Sequence, residues 1–140
     1  MTLTNRDIYK NALSLIGECI NGSKTDDYEE RAEYILPAFF CVVKNTDKKL
    51  RKAEGKEDQP SFSPVYTPLD SDFPLSDSFV STAALYLAAM LVIEENSELS
   101  DTLYDKYCDG IASIAASVSS ISNESNTASC EPIVQKYFFD

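Results

Sequence analysis

The side chains able to do chemistry in this 140-residue chain are carboxylates, thiols and amines, because it has no histidine. Without imidazole, the commonest general base at neutral pH and the commonest transition-metal ligand are both missing. Serine–histidine and cysteine–histidine catalysis within the chain are thereby excluded. Adjacent carboxylates occur at Asp26 and Asp27 and at Glu94 and Glu95. Such pairs can share a proton or hold a hard cation, but EF-hand spacing is absent. Both pairs fall at expected helix ends, where solvated acids are ordinary. The cysteines, Cys19, Cys41, Cys108 and Cys130, are separated by 22, 67 and 22 residues, with no CxxC pair. A zinc site needs closer thiols or histidine. Buried, reduced thiols are therefore expected at Cys19, Cys41 and Cys108, which lie in or beside apolar helical stretches. The four glycines are scattered, so no phosphate-cradling loop exists. No catalytic residue, cofactor or metal is expected, and the chain reads as non-enzymatic.

The strongest remaining polar signal is a basic run. Lys44, Lys48, Lys49, Arg51, Lys52 and Lys56 hold half of the twelve basic residues. They read either as a solvated helix end or as an electrostatic contact for an acidic partner or DNA, with Lys44, Lys48, Lys49, Arg51 and Lys52 as the candidates. The rest of the chain is acidic. The net charge is −11, and from residue 69 onward twelve acids stand against two lysines. Such a body is a poor general nucleic-acid binder, since phosphate binding rests on positive charge.

The elements that must carry these residues are helices. A hydrophobic fraction of 44% with 11% aromatics marks a globular chain rather than a disordered one. At this length one core forms without disulfides or metal. The near-apolar stretch 83–93 is too short to span a bilayer, and the N-terminus lacks a signal-peptide layout. The chain is expected to be soluble and intracellular at synthesis, with no membrane partner.

A first helix is predicted over 5–20, capped by Thr4 with Asp7 in the capping-box position and stopped by Asn21-Gly22. A second runs from Asp26 or Asp27 to Glu54, with Tyr28, Ala32, Ile35, Phe39 and Val42 as its apolar stripe. Pro37 inside it predicts a kink or a junction of two helices. A third, alanine-rich helix starts after Asp77 and ends near Asn96; its lack of charge marks it as the most buried. A fourth runs from Glu98 or Asp101 to Ile121, capped by Ser97 or Ser100, with Gly110 a mild weak point.

Residues 56–76 carry Pro60, Pro64, Pro68 and Pro74 among Phe62, Tyr66 and Phe73. A helix is ruled out; an extended loop or a hairpin remains, either pinned over the core or protruding as a contact loop. After the small, polar stretch 123–129 comes a tail with Ile133, Tyr137, Phe138 and Phe139, which must bury its aromatics on the parent domain or on a neighbour. The expected architecture is all-α: a four-helix bundle over 1–122, a Pro-rich aromatic loop, and a linker and C-terminal arm over 123–140. Candidate partner-contact residues are Phe62, Tyr66, Phe73, Ile133, Tyr137, Phe138 and Phe139.

The order of these features resembles a known family. TNRDIYKNALSLIGE at 4–18, DDYEERAEYILPAFF at 26–40, LDSDFPLSDSFVSTAALYLAAMLV at 69–92 and LYDKYCDGIASI at 103–114 are similar in layout to the head–tail connector proteins of tailed bacteriophages, also called adaptor or head-completion proteins. The resemblance implies a virion protein of the head–tail neck, assembled in the host cytoplasm. Its copies, about twelve, would form a closed ring of head-to-tail contacts beneath the portal protein. The ring would extend the channel for double-stranded DNA, without reading its sequence, and offer a docking surface for the tail or a further adaptor protein. The competing expectation is a soluble intracellular adaptor that binds a single protein partner.

Overall fold

The computed structural model describes residues 2–17 and 25–125. Four helices run through them: α1 (Asn5–Leu15), α2 (Thr25–Glu54), α3 (Val80–Val92) and α4 (Ser97–Ser125). A single 3-10 turn, Asp77–Phe79, leads into α3. No strand forms among the described residues, so the fold is all-α and the hairpin does not exist. The only β-type pairing there is an isolated antiparallel bridge between Thr4 and Asp72.

α3 packs against each of the other three helices. It is apolar on all sides, and Thr82, Ala83, Ala84, Leu87, Ala88, Ala89, Leu91 and Val92 are buried. The opposite end of α2 reaches each end of α3, so the two are antiparallel. Arg31 near the start of α2 donates to the Met90 and Leu91 carbonyls at the end of α3, and Tyr28 donates to Glu95 just beyond. Arg51 near the end of α2 donates to the Pro74 carbonyl ahead of α3. An aromatic cluster fills the centre. Phe39 lies 5.9 Å from Tyr86, 6.0 Å from Tyr107 and 6.5 Å from Phe79. Burial, with the neighbouring Tyr104 and Tyr86, pushes the Tyr107 hydroxyl up to about 12.

Several boundaries differ from expectation. α1 has its Thr4–Asp7 capping box, but it stops at Leu15, and the chain turns through Ile16 and Gly17 at φ +75°. The expected stop at Asn21-Gly22 lies outside the described residues. The cap of α4 is Asn96, whose Oδ1 accepts from the Leu99 amide at 3.0 Å. Ser100 instead donates to the Ala89 carbonyl and ties α4 to α3. α4 continues past Ile121 to Ser125.

The core face of α2 is Tyr28, Ala32, Leu36, Phe39, Phe40, Val43 and Leu50, together with Asp47. Val42, placed on that face from its spacing, is 62% exposed. Steps of four and three residues repeat every seven, and a straight helix drifts about 20° per seven residues from that register. Two such steps carry Val42 off the buried side. Cys41 and Cys108 are likewise exposed rather than buried.

Gly110 is a contact point rather than a weak point. A Cβ there would lie 2.6 Å from Thr82 Cγ2. Thr82 cannot swing away cheaply, because its side chain is β-branched and its hydroxyl donates to the Phe79 carbonyl at 3.0 Å. Gly110→Ala gains up to about 1 kcal/mol of helix propensity but meets overpacking of about 1–3 kcal/mol. The expected net result is a lower urea midpoint, restored when Thr82→Ser removes the opposing methyl. A Gly110→Ala protein more stable than the parent would show that the helices yield at this point.

Candidate functional site

The most constructed region outside the helical core is the segment between α2 and α3. Its docking starts with Pro37. Proline lacks an N–H, so the carbonyl four residues earlier, Glu33, loses its helical partner. α2 nevertheless runs unbroken through Pro37. The Glu33 carbonyl accepts from the Thr67 amide of the segment at 2.9 Å, and the Glu33 carboxylate accepts from the Leu69 amide at 3.0 Å. The segment then caps α1. The first amides of a helix have no partner within it, and here Asn5 N–H donates to the Ser71 carbonyl and Arg6 N–H to the Leu69 carbonyl. Buried Asn5 also donates from Nδ2 to Thr67 Oγ1 and the Pro68 carbonyl. Arg6 joins Asp70 on the segment to Glu29 on α2, at 2.9 and 2.7 Å.

The other end is anchored on Asp47, whose side chain is fully buried. It accepts from Arg51 Nε at 2.8 Å, Gln59 Nε2 at 2.8 Å and the Ser76 amide at 2.9 Å. Three donors around an acceptor-only carboxylate are a matched set. Burial works against ionisation of Asp47, but the hydrogen bonds from Ser76, Gln59 and Arg51 outweigh it and hold the carboxyl below its ordinary value.

The predicted contact residues separate accordingly. Phe73 is buried with its ring 5.9 Å from Phe40, so it belongs to the chain's own core and not to a partner surface. Phe62 is half-buried against the same ring at 5.4 Å, and Lys44 Nζ lies 5.7 Å from the centre of the Phe62 ring. Tyr66 is 40% exposed and rests on Tyr34, with centroids 5.2 Å apart; Val65 beside it is 63% exposed. Arg51 is not a free electrostatic contact. It is committed to Asp47 and to the Glu57 and Pro74 carbonyls. Lys44, Lys48, Lys49 and Lys52 are exposed at the end of α2. Ile133, Tyr137, Phe138 and Phe139 lie outside the described residues.

Two exposed faces were not singled out from the sequence. Glu98, Asp101, Asp105 and Asp109 follow one side of α4 at helical spacing, all exposed. Opposite the core, α2 presents Asp27, Glu30, Tyr34, Ala38, Cys41, Val42, Asn45, Lys48, Lys49 and Lys52, again all exposed. Both were legible as patterns of three and four, although a helix's outer face is usually passed over. Among the described residues, no three of His, Cys, Asp and Glu gather as a metal site, and no helix is long and apolar enough to cross a membrane. No family model, no curated protein and no solved structure matches the chain.

Proposed function

We propose that the chain is a non-catalytic structural subunit of the head–tail connector class. In this reading, copies form a closed ring below the portal, extend the DNA channel and help retain packaged DNA. The observation that carries the reading is the acidic side of α4. Glu98, Asp101, Asp105 and Asp109 line one exposed face over about 16 Å of helix. Such a face suits a channel wall past which a polyanion slides without adhering, because like charges repel within the screening length of about 8–10 Å. Ring neighbours and the portal would be met by rigid exposed features: Val65 and Tyr66 on the docked segment, and Lys44, Lys48, Lys49 and Lys52. Phe62 would take part only through its exposed edge. The arm residues Ile133, Tyr137, Phe138 and Phe139 are assigned to the same contacts.

The test is quantitative mass spectrometry of purified virions, counting this chain against the portal protein. A ratio near one to one is expected. Absence from the particle would sink the connector reading and leave a single-partner adaptor as the better description. A many-fold excess would point to a tail-tube or capsid-decorating protein.

A further inference from the structure

We infer that the outer face of α2 is a self-complementary surface whose occupant is a second copy of this chain, lying antiparallel across it. The face reads acid, apolar, base in order along the helix. Asp27 and Glu30 stand at its start, Tyr34, Ala38, Cys41 and Val42 at its centre, and Lys48, Lys49 and Lys52 at its end. With 3.6 residues per turn these positions fall within one stripe, diametrically opposite Leu36 and Val43 in the core. Turned end for end, the stripe is its own complement. Asp27 comes opposite Lys52, Glu30 opposite Lys49, Tyr34 opposite Asn45 and Ala38 opposite Cys41. An isologous two-fold contact requires this kind of self-matching.

The helix dipole alone accounts for acids at the start of α2 and lysines at its end. It does not account for the centre, where Tyr34 is 57% and Val42 62% exposed on a helix whose other side already fills the core. Tyr66 from the docked segment rests against Tyr34 and widens that apolar centre, and Val65, next to it in the chain, is exposed as well. The small side chains of Ala38 and Cys41 at the crossing point let two helix axes approach to about 8 Å. The acid end is not idle in the single chain: Asp27 lies 3.8 Å from Arg31 across one turn. Its side chain is 70% exposed, so a lysine from a second copy reaches it. The charged ends give register and direction, and the apolar centre gives the attraction.

This pairing rests on α2 and the segment docked beside it and does not depend on the connector reading. A ring of one-way contacts has no two-fold axis relating neighbours, so an antiparallel pair separates before its members join one. The pair is the form of the free chain.

Sedimentation of the full chain at low salt tests it. The expected mass is twice 15.5 kDa, falling toward 15.5 kDa as salt rises. Lys49→Glu with Lys52→Glu puts acids at both ends and weakens the pair by roughly a hundredfold. Asp27→Lys with Glu30→Lys puts lysines at both ends and does the same. An equimolar mixture of the two variants restores a dimer. A parent mass of 15.5 kDa at every concentration would overturn the inference, as would a dimer indifferent to both charge reversals, or a mixture that forms open polymers. A second readout needs no charge variant. Cross-linking the parent with a short bis-maleimide should join Cys41 to Cys41 of the second copy; cross-links confined to Cys108 would place the contact elsewhere. Failure of any of these leaves the virion count untouched, and a chain absent from virions leaves the pair untouched.

Discussion

Phe40→Ala is expected to cost about 3–5 kcal/mol, the range for emptying a buried aromatic site. Phe40 has no exposed surface, and its ring meets those of Phe62 and Phe73 in T-shaped pairs with centroids 5.4 and 5.9 Å apart. The variant therefore removes the floor on which the segment between α2 and α3 rests. That segment supplies the carbonyls that cap α1, so damage should spread from the cavity to the start of α1 and leave α3 and α4 better protected. Urea unfolding gives the magnitude, and amide exchange gives the place. Tyr34→Ala is the control: its ring is 57% exposed, and the expected loss is within about 0.5 kcal/mol. Equal losses for the two would mean that Phe40 is not the anchor.

Asp47→Ala is expected to lower stability by about 3 kcal/mol, the low end of the range for breaking a buried ion pair. The low end applies because the Arg51 side chain is 15% exposed and recovers some hydration once its partner is gone. The Gln59 side chain and the Ser76 amide lose the same acceptor, which loosens both ends of the segment. The effect has a pH signature. The folded chain holds the Asp47 carboxyl below its ordinary 3.8, so on acidification the unfolded chain takes up the proton first. The stabilisation is thus complete above that unfolded value and is lost as pH falls through the folded value. The stability gap between the parent and Asp47→Asn should begin to narrow as pH falls below about 4 and close below the folded value of Asp47. A gap that persists unchanged into strong acid would show that Asp47 is not ionised in the fold.

Helix number, helix order, the Thr4 cap and the buried character of α3 are all legible in the sequence, because each rests on local pattern. What is not legible depends on which groups the fold brings together across long separations. Asp47 looks like one stray acid among lysines, although its place four residues before Arg51 on the core side of α2 was a usable signal. Arg51 looks like its neighbouring lysines, yet a planar guanidinium with several donors suits bridging a carboxylate and two carbonyls. Pro37 reads as a helix breaker because pattern alone cannot show that Thr67 compensates the lost bond. Gly110 reads as a defect because its reason lies on another helix, in the Thr82 methyl. The exposed side of α2 is harder to read because spacing puts Val42 on the core stripe and an apolar setting suggests burial of Cys41, although seven-residue spacing has already drifted from the helix's own period by Val42.

Pro37 leaves the molecule with an internal clock. A carbonyl in the middle of a helix ordinarily binds an amide of the same helix, and its bond reports only on that helix. The Glu33 carbonyl is bound from outside, by the Thr67 amide. That amide is shielded from solvent while the segment lies on α2, and it exchanges whenever the segment lifts, whether or not the helices stay formed. With the Leu69 and Ser76 amides, which donate to Glu33 and Asp47, the Thr67 proton thus times the release of the segment separately from global unfolding. Its exchange rate would register the arrival of any partner that grips Val65 and Tyr66.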